Sequence, residues 1–286
     1  MRTEGRRKST NVEDRRRVSP KAVGVGGGLI GLLIILAVTL LGGDPQQAAK
    51  VVDDMNLGVD VQRAGDQEFS PQEEQMAEFV SIVLAETEDV WSQLFAAENV
   101  EYTQPTLVLF TNRVQSACGF ASAATGPFYC PLDEKVYLDL SFFEQMKQRF
   151  KAPGDFAQAY VVAHEVGHHV QNLLGISDRV QSQRARLTQE EYNRLSVRME
   201  LQADYLAGVW AHHTQKNWQL LEEGDIKEAI NAASAIGDDR LQRQAQGYVV
   251  PESFTHGTSE QRVRWFYKGL QSGDMLGGNT FDADEL

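Results

Sequence analysis

The run His164-Glu165-Val166-Gly167-His168 constrains this chain more than any other stretch. Two imidazoles four residues apart face one ion together only on an α-helix, where four residues advance by about 400° and return to the same face. Glu165 then stands beside the pair, placed to take a proton from a water on that ion. The flanks require the helix to be buried, because Val161, Val162, Ala163, Val166 and Val170 surround the polar triplet. Asp155 opens the same stretch with the negative charge that suits a helix N-terminus. Polar groups on a buried helix cost several kcal/mol if left without partners, and a metal satisfies them. Gly167, about 1 kcal/mol worse than Ala in a helix interior, predicts close packing at that point.

This is the HExxH pattern, in which two neutral histidines hold Zn²⁺ and the glutamate acts as general base. A catalytic zinc takes three protein ligands and leaves the fourth position to water. Gln171 and Leu174 stand where a metzincin would carry its glycine and third histidine, so the third ligand lies elsewhere. Glu200 is the candidate, in the segment Arg198-Met199-Glu200-Leu201-Gln202-Ala203-Asp204. Thr188 and Glu191 form a capping box that opens this helix, and Leu195, Met199, Tyr205, Leu206 and Val209 supply its apolar contacts. Glu200 and Asp204 share a face, so Glu200 can bind metal while Asp204 accepts the free ring N–H of a ligand histidine. The alternative is a solvated acidic pair on an amphipathic helix. His169 points about 100° away from the histidine pair and is expected to make a structural hydrogen bond.

HExxH followed by a helical ExxAD resembles the gluzincin type of metallopeptidase. The whole chain is similar to the bacterial putative neutral zinc metallopeptidase family, through Asn11-Val12-Glu13-Asp14-Arg15-Arg16, Gly126-Pro127-Phe128-Tyr129-Cys130-Pro131, the helix from Ala163 to Gln171, Arg194 to Asp204, and Ser253 to Ser259. The resemblance implies an α+β, mainly helical zincin-like domain with a small β-sheet, one catalytic Zn²⁺ and hydrolysis of peptide bonds. It names no substrate. Similar chains often have cysteine where Tyr205 stands and another near Gly278, so one optional disulfide is expected to be missing here.

Residues 22–43 carry no charged side chain, and Leu29 to Leu41 is almost wholly aliphatic. About 20 such residues cross a bilayer as a helix. The preceding 21 residues hold eight Lys or Arg against three acids, and the remainder holds 19 basic and 37 acidic residues. The positive-inside rule therefore predicts a basic cytoplasmic tail at 1–21, a retained signal anchor at 22–43 and the rest outside, in the bacterial periplasm. A cleaved signal peptide or a buried core helix are the alternatives for the apolar stretch. The acidic balance beyond it argues against a nucleic-acid partner. Cys118 and Cys130 are the only cysteines. An oxidising compartment would pair them as one disulfide, whereas the cytosol would keep two thiols.

Residues 44–72 form a polar, acidic connector, and 73–286 are long enough for one substantial domain. Phe79, Ile82, Val83, Val90, Trp91 and Phe95 make a helical stripe, 106–110 and 135–140 read as strands, and the chain after Gly208 is mostly helical. Val136-Tyr137-Leu138-Asp139-Leu140 is either an edge strand that pairs with an extended substrate or an internal strand. Trp210, His212, His213 and Trp218 suit packing and C-terminal capping better than a second site. His256, just before the capping box of Thr258 and Gln261, has three candidate roles: stabilising an oxyanion, occupying the metal's fourth position, or holding a turn. The expected activity is that of a membrane-anchored, extracytoplasmic zinc peptidase acting on envelope peptides or proteins. The rivals are a non-catalytic metal-binding adaptor and a structural metal site. Oligomeric state has no signature in the sequence.

Overall fold

The computed structural model of the chain describes residues 1–17 and 69–286. Helix α1, Pro71–Ala97, is opened by Ser70 and Glu73, each side chain bonding the other's backbone N–H. Its Val80, Ile82, Val83, Leu84, Val90, Trp91 and Phe95 are buried, which is the expected stripe with Val80 and Leu84 added and Phe79 only half-buried. Seven further helices follow: α2 Ser141–Gln148, α3 Asp155–Leu173, α4 Ile176–Gln181, α5 Gln189–Trp218, α6 Asp225–Ala235, α7 Asp238–Gln246 and α8 Ser259–Ser272. A four-stranded sheet contains β1 Val12–Asp14, β2 Thr106–Phe110, β5 Phe128–Cys130 and β6 Lys135–Asp139, in the order β1-β2-β6-β5. The first two pairings are parallel and the last antiparallel. Strands β3 Arg113–Ser116 and β4 Gly119–Ser122 form a separate hairpin. The mixed, mainly helical architecture agrees with the expected α+β class.

Helix α3 runs through the middle, packed against α1, α5 and α6 with β5 and β6 beside it. Its crossing with α5 is close because Gly167 has no side chain: a Cβ there would lie 3.0 Å from the Ala203 carbonyl oxygen. Helices α5 and α8 meet through two more glycines. A Cβ on Gly208 would lie 2.0 Å from the Phe266 oxygen, and one on Gly269 would lie 1.9 Å from the Tyr205 oxygen. These contacts bring residues of α8 within reach of the face of α5 that carries Glu200 and Asp204.

Two expectations need correction. Residues 1–15 are not a tail apart from the domain but belong to the same compact unit as residues 69–286. Val12, Glu13 and Asp14 pair in parallel with Leu107, Val108 and Leu109. Arg6 binds Glu86 at 2.5 and 2.7 Å, while Ser9 and Asn11 bond the Glu88 carboxylate at 2.6 and 2.8 Å. Both acids are fully buried on α1, so the positive charges that read as a membrane-topology signal are also the partners of buried carboxylates. The domain resumes at Phe69, a few residues before the expected boundary at 73. The apolar stretch 22–43 and most of the connector 44–72 lie outside the described residues, and among the described residues no helix is long and apolar enough to cross a membrane.

Of the two readings of Val136–Leu140, the structure has the internal strand. Strand β6 is hydrogen-bonded to β2 on one side and β5 on the other, and ends at Asp139, with Leu140 already the cap of α2. Val136, Tyr137 and Leu138 are buried, as befits a strand covered on both faces. The sheet edge on this side is β5. Cys118 and Cys130 form a disulfide that ties the β3–β4 turn to the end of β5. Tyr205 and Gly278 do come together, and the tyrosine ring occupies the space so fully that a Cβ at 278 would fall 2.2 Å from it.

Candidate metal centre

Helical periodicity places His164 and His168 on one face of α3, and the Gly167 crossing sets that face against Glu200 of α5. His164 Nε2 lies 3.2 Å from Glu200 Oε2, and His168 Nε2 lies 3.4 Å from Glu200 Oε1. One ligand atom from each of the three residues falls within 4.8 Å of the others. The outer ring nitrogens show what these atoms are. His164 Nδ1 sits 2.9 Å from Asp204 Oδ1, and His168 Nδ1 sits 2.8 Å from Gln171 Oε1. Both partners are acceptors, so the ring protons belong on Nδ1 and the Nε2 lone pairs converge on the Glu200 carboxylate. With neutral rings three lone-pair donors face one another, an arrangement that protons satisfy in the metal-free protein and that a metal cation satisfies in their place. Two imidazoles and one carboxylate, with room for water, are a catalytic zinc donor set.

The charges agree. Burial would lower the His164 pKa, but the Asp204 charge and the hydrogen bonds that the imidazolium donates to Asp204 and Glu200 outweigh it and push it up to about 10 in the metal-free protein. Burial likewise opposes ionisation of Glu200, yet the facing His168 and His256 charges and the bonds from His164 and His168 hold its pKa well below the ordinary carboxylate value. The pocket thus favours positive charge at the point where the three donors meet. Asp204, wholly buried, accepts from His164, from the Tyr160 hydroxyl, and from Arg262 through Nε at 2.8 Å and Nη2 at 3.0 Å. Arg262 holds the Asp204 pKa below its usual range against the penalty of burial. The expected role of Asp204 behind His164 is therefore present in the geometry. Its support by Tyr160 and Arg262 was not legible in the sequence, since those residues lie 44 and 58 positions away.

Glu165 is 8 % exposed, lines the same cleft, and its side chain makes no hydrogen bond among the described residues. The cleft measures about 1150 Å³ and is walled by Phe128 and Tyr129 of β5, by Met199 of α5 and by His256. His256 is not among the converging ligand atoms. Asp238 fixes its turn by accepting the backbone N–H groups of Thr255, His256 and Gly257, and its other oxygen lies 3.3 Å from His256 Nδ1. The half-exposed His256 ring lines the cleft, with Nδ1 as the nitrogen beside Asp238. His169, as expected, is structural: its ring joins the Tyr129 hydroxyl at 3.0 Å and the Thr103 carbonyl at 2.6 Å. His212 and His213 bond the Leu270 and Gly273 carbonyls at the end of α8 and form no second centre.

The family described as Putative neutral zinc metallopeptidase matches residues 1–281. The Escherichia coli (strain K12) protein named Uncharacterized protein YpfJ is 50% identical over 291 aligned residues, which cover 98% of this chain and 99% of that protein. Uncharacterized protein Rv2575 of Mycobacterium tuberculosis is 43% identical over 207 residues, covering 69% of this chain and 68% of its own. No solved structure matches the chain. With a match over nearly its full length, and with the motif histidines and Glu200 brought together in one cleft, the chain belongs to the Putative neutral zinc metallopeptidase family.

Proposed function

We propose that the protein is a zinc-dependent peptidase that hydrolyses extended peptides in an extracytoplasmic compartment. The observation that carries this reading is Glu165, which lines the cleft beside the three-donor set with a carboxylate that makes no hydrogen bond among the described residues. A structural metal site needs no such group. His164, His168 and Glu200 would hold the ion. When bound, Zn²⁺ supplies Lewis acidity, lowering the pKa of water and polarising a carbonyl. Glu165 accepts the proton of the attacking water and passes it to the leaving amine. His256, held by Asp238, donates from Nε2 to the oxyanion that develops on the substrate. Strand β5, the sheet edge among the described residues, stands at the cleft wall and offers backbone groups to an extended peptide, a role better suited to it than to the internal β6. Protein stripped of metal and restored with one equivalent of Zn²⁺ is expected to cleave a quenched peptide library, and cleavage by neither form would leave a binding protein. On a peptide so found, His256→Ala should lower kcat by about 100- to 1,000-fold with zinc retained. An unchanged kcat would reduce His256 to a turn residue.

The location rests on the disulfide between Cys118 and Cys130, which suits an oxidising compartment. Because β1 is part of the sheet, residues 1–15 share the compartment of the remaining domain in the folded protein. A membrane-impermeant maleimide applied to bacterial spheroplasts should therefore label both Thr10→Cys and Glu101→Cys, each at an exposed position. Labelling of neither would place the domain inside the cell. Labelling of Glu101→Cys alone would restore the cytoplasmic tail.

A further inference from the structure

The metal-binding histidines have different supports. His164 leans on the charged Asp204, whereas His168 leans on Gln171, one turn further along α3 and fully buried. The Gln171 amide is used on both sides. Its nitrogen donates to the Met199 carbonyl at 2.8 Å and to Gln202 Oε1 at 2.9 Å, and Gln202 Nε2 donates in turn to the Gly278 carbonyl at 2.9 Å. A backbone carbonyl only accepts, so the side of Gln171 that faces Met199 must be the NH₂ group. Oε1 is thereby turned to His168 and accepts its Nδ1 proton. The packing explains the reach: α3 and α5 run antiparallel where Gly167 touches Ala203, so one turn after Gly167 on α3 meets one turn before Ala203 on α5. Met199 immediately precedes Glu200, so this amide sits between two candidate ligands.

We propose that Gln171 is the positioning residue for His168, fixing its ring so that Nε2 presents its lone pair to the metal while tying it to the backbone beside Glu200. The proposal rests on the reading of His164, His168 and Glu200 as a zinc site. Its test is zinc affinity, measured by competition with a chromophoric chelator, together with the thermal midpoint of each metal-free variant. Gln171→Met keeps the volume and loses the acceptor, and should weaken zinc binding by about 10- to 100-fold. Gln171→Glu keeps an acceptor for His168 but cannot donate to Met199 or Gln202. It should lose metal-free stability and yet hold zinc within about threefold of the wild type, a margin well inside the 10- to 100-fold loss above. Gln202→Met removes one support, leaves the Met199 bond to set the amide, and should also hold zinc within that margin.

Wild-type protein that binds no zinc in this assay would end the metal reading itself. With wild-type binding intact, equal affinity in Gln171→Met would overturn the role given to Gln171. So would equal losses in Gln171→Met and Gln171→Glu, because the residue would then act only by bridging the helices. If Gln171→Met does not fold, the other two variants decide: a loss of more than tenfold in either overturns the proposal, and zinc retained in both supports it.

Discussion

Glu165→Gln is expected to abolish turnover while leaving the protein folded and zinc-loaded. The substitution keeps shape and polarity but removes the basic lone pair, and general-base catalysis of this kind contributes about 10²- to 10⁴-fold to the rate. No loss of stability should accompany it, because the Glu165 side chain lines the cleft and makes no hydrogen bond among the described residues. His164→Ala, His168→Ala and Glu200→Ala should behave in the opposite way, losing zinc first and activity as a consequence. The measurements are kcat on a cleaved peptide, metal content after gel filtration and a melting curve. Retained turnover in Glu165→Gln with full zinc occupancy would rule out this residue as the base.

Arg262→Met should cost the most stability of any single substitution near the site, about 3–5 kcal/mol by chemical denaturation of the metal-free protein. Arg262 and Asp204 are both buried, and the guanidinium contacts both carboxylate oxygens. Without it an uncompensated charge remains in the core, whereas removing both members of a buried pair is far less damaging. The double variant Arg262→Met/Asp204→Asn should therefore be more stable than Arg262→Met alone, and failure of that recovery would show that Arg262 stabilises through packing. Arg262→Lys should fall between, since an ammonium cannot span the two oxygens as the planar fork does. The pH dependence has a definite sign. Asp204 has a depressed folded pKa, so its contribution is present above its unfolded pKa of about 4 and is lost as pH falls through the lower folded value.

The candidate metal-binding face was legible in the sequence because it is built from local geometry. His164, Glu165 and His168 lie within one helical turn and a half, Glu200 and Asp204 within another, and 3.6 residues per turn is enough to place each set on a face. The capping boxes of Thr188 and Thr258 mark helix starts by the same local rule, and both are formed. Gly167 could be read as a contact point because glycine in a helix interior needs a reason. What the helices meet was decided by the fold. Tyr160 and Arg262 converge on Asp204, and Gln171 reaches Met199, through crossings set by Gly167, Gly208 and Gly269, and no short pattern records a partner 28 to 58 residues away. Strand β1 has only three residues, too few for an alternating pattern to be distinguished, and its identity depends on the edge of β2 that receives it. The basic residues around it carry positive charge in any sequence reading. Only the tertiary structure shows that Arg6 and Arg7 meet the buried Glu86 and Glu88, because a charge reveals its sign in the sequence and its partner only in space.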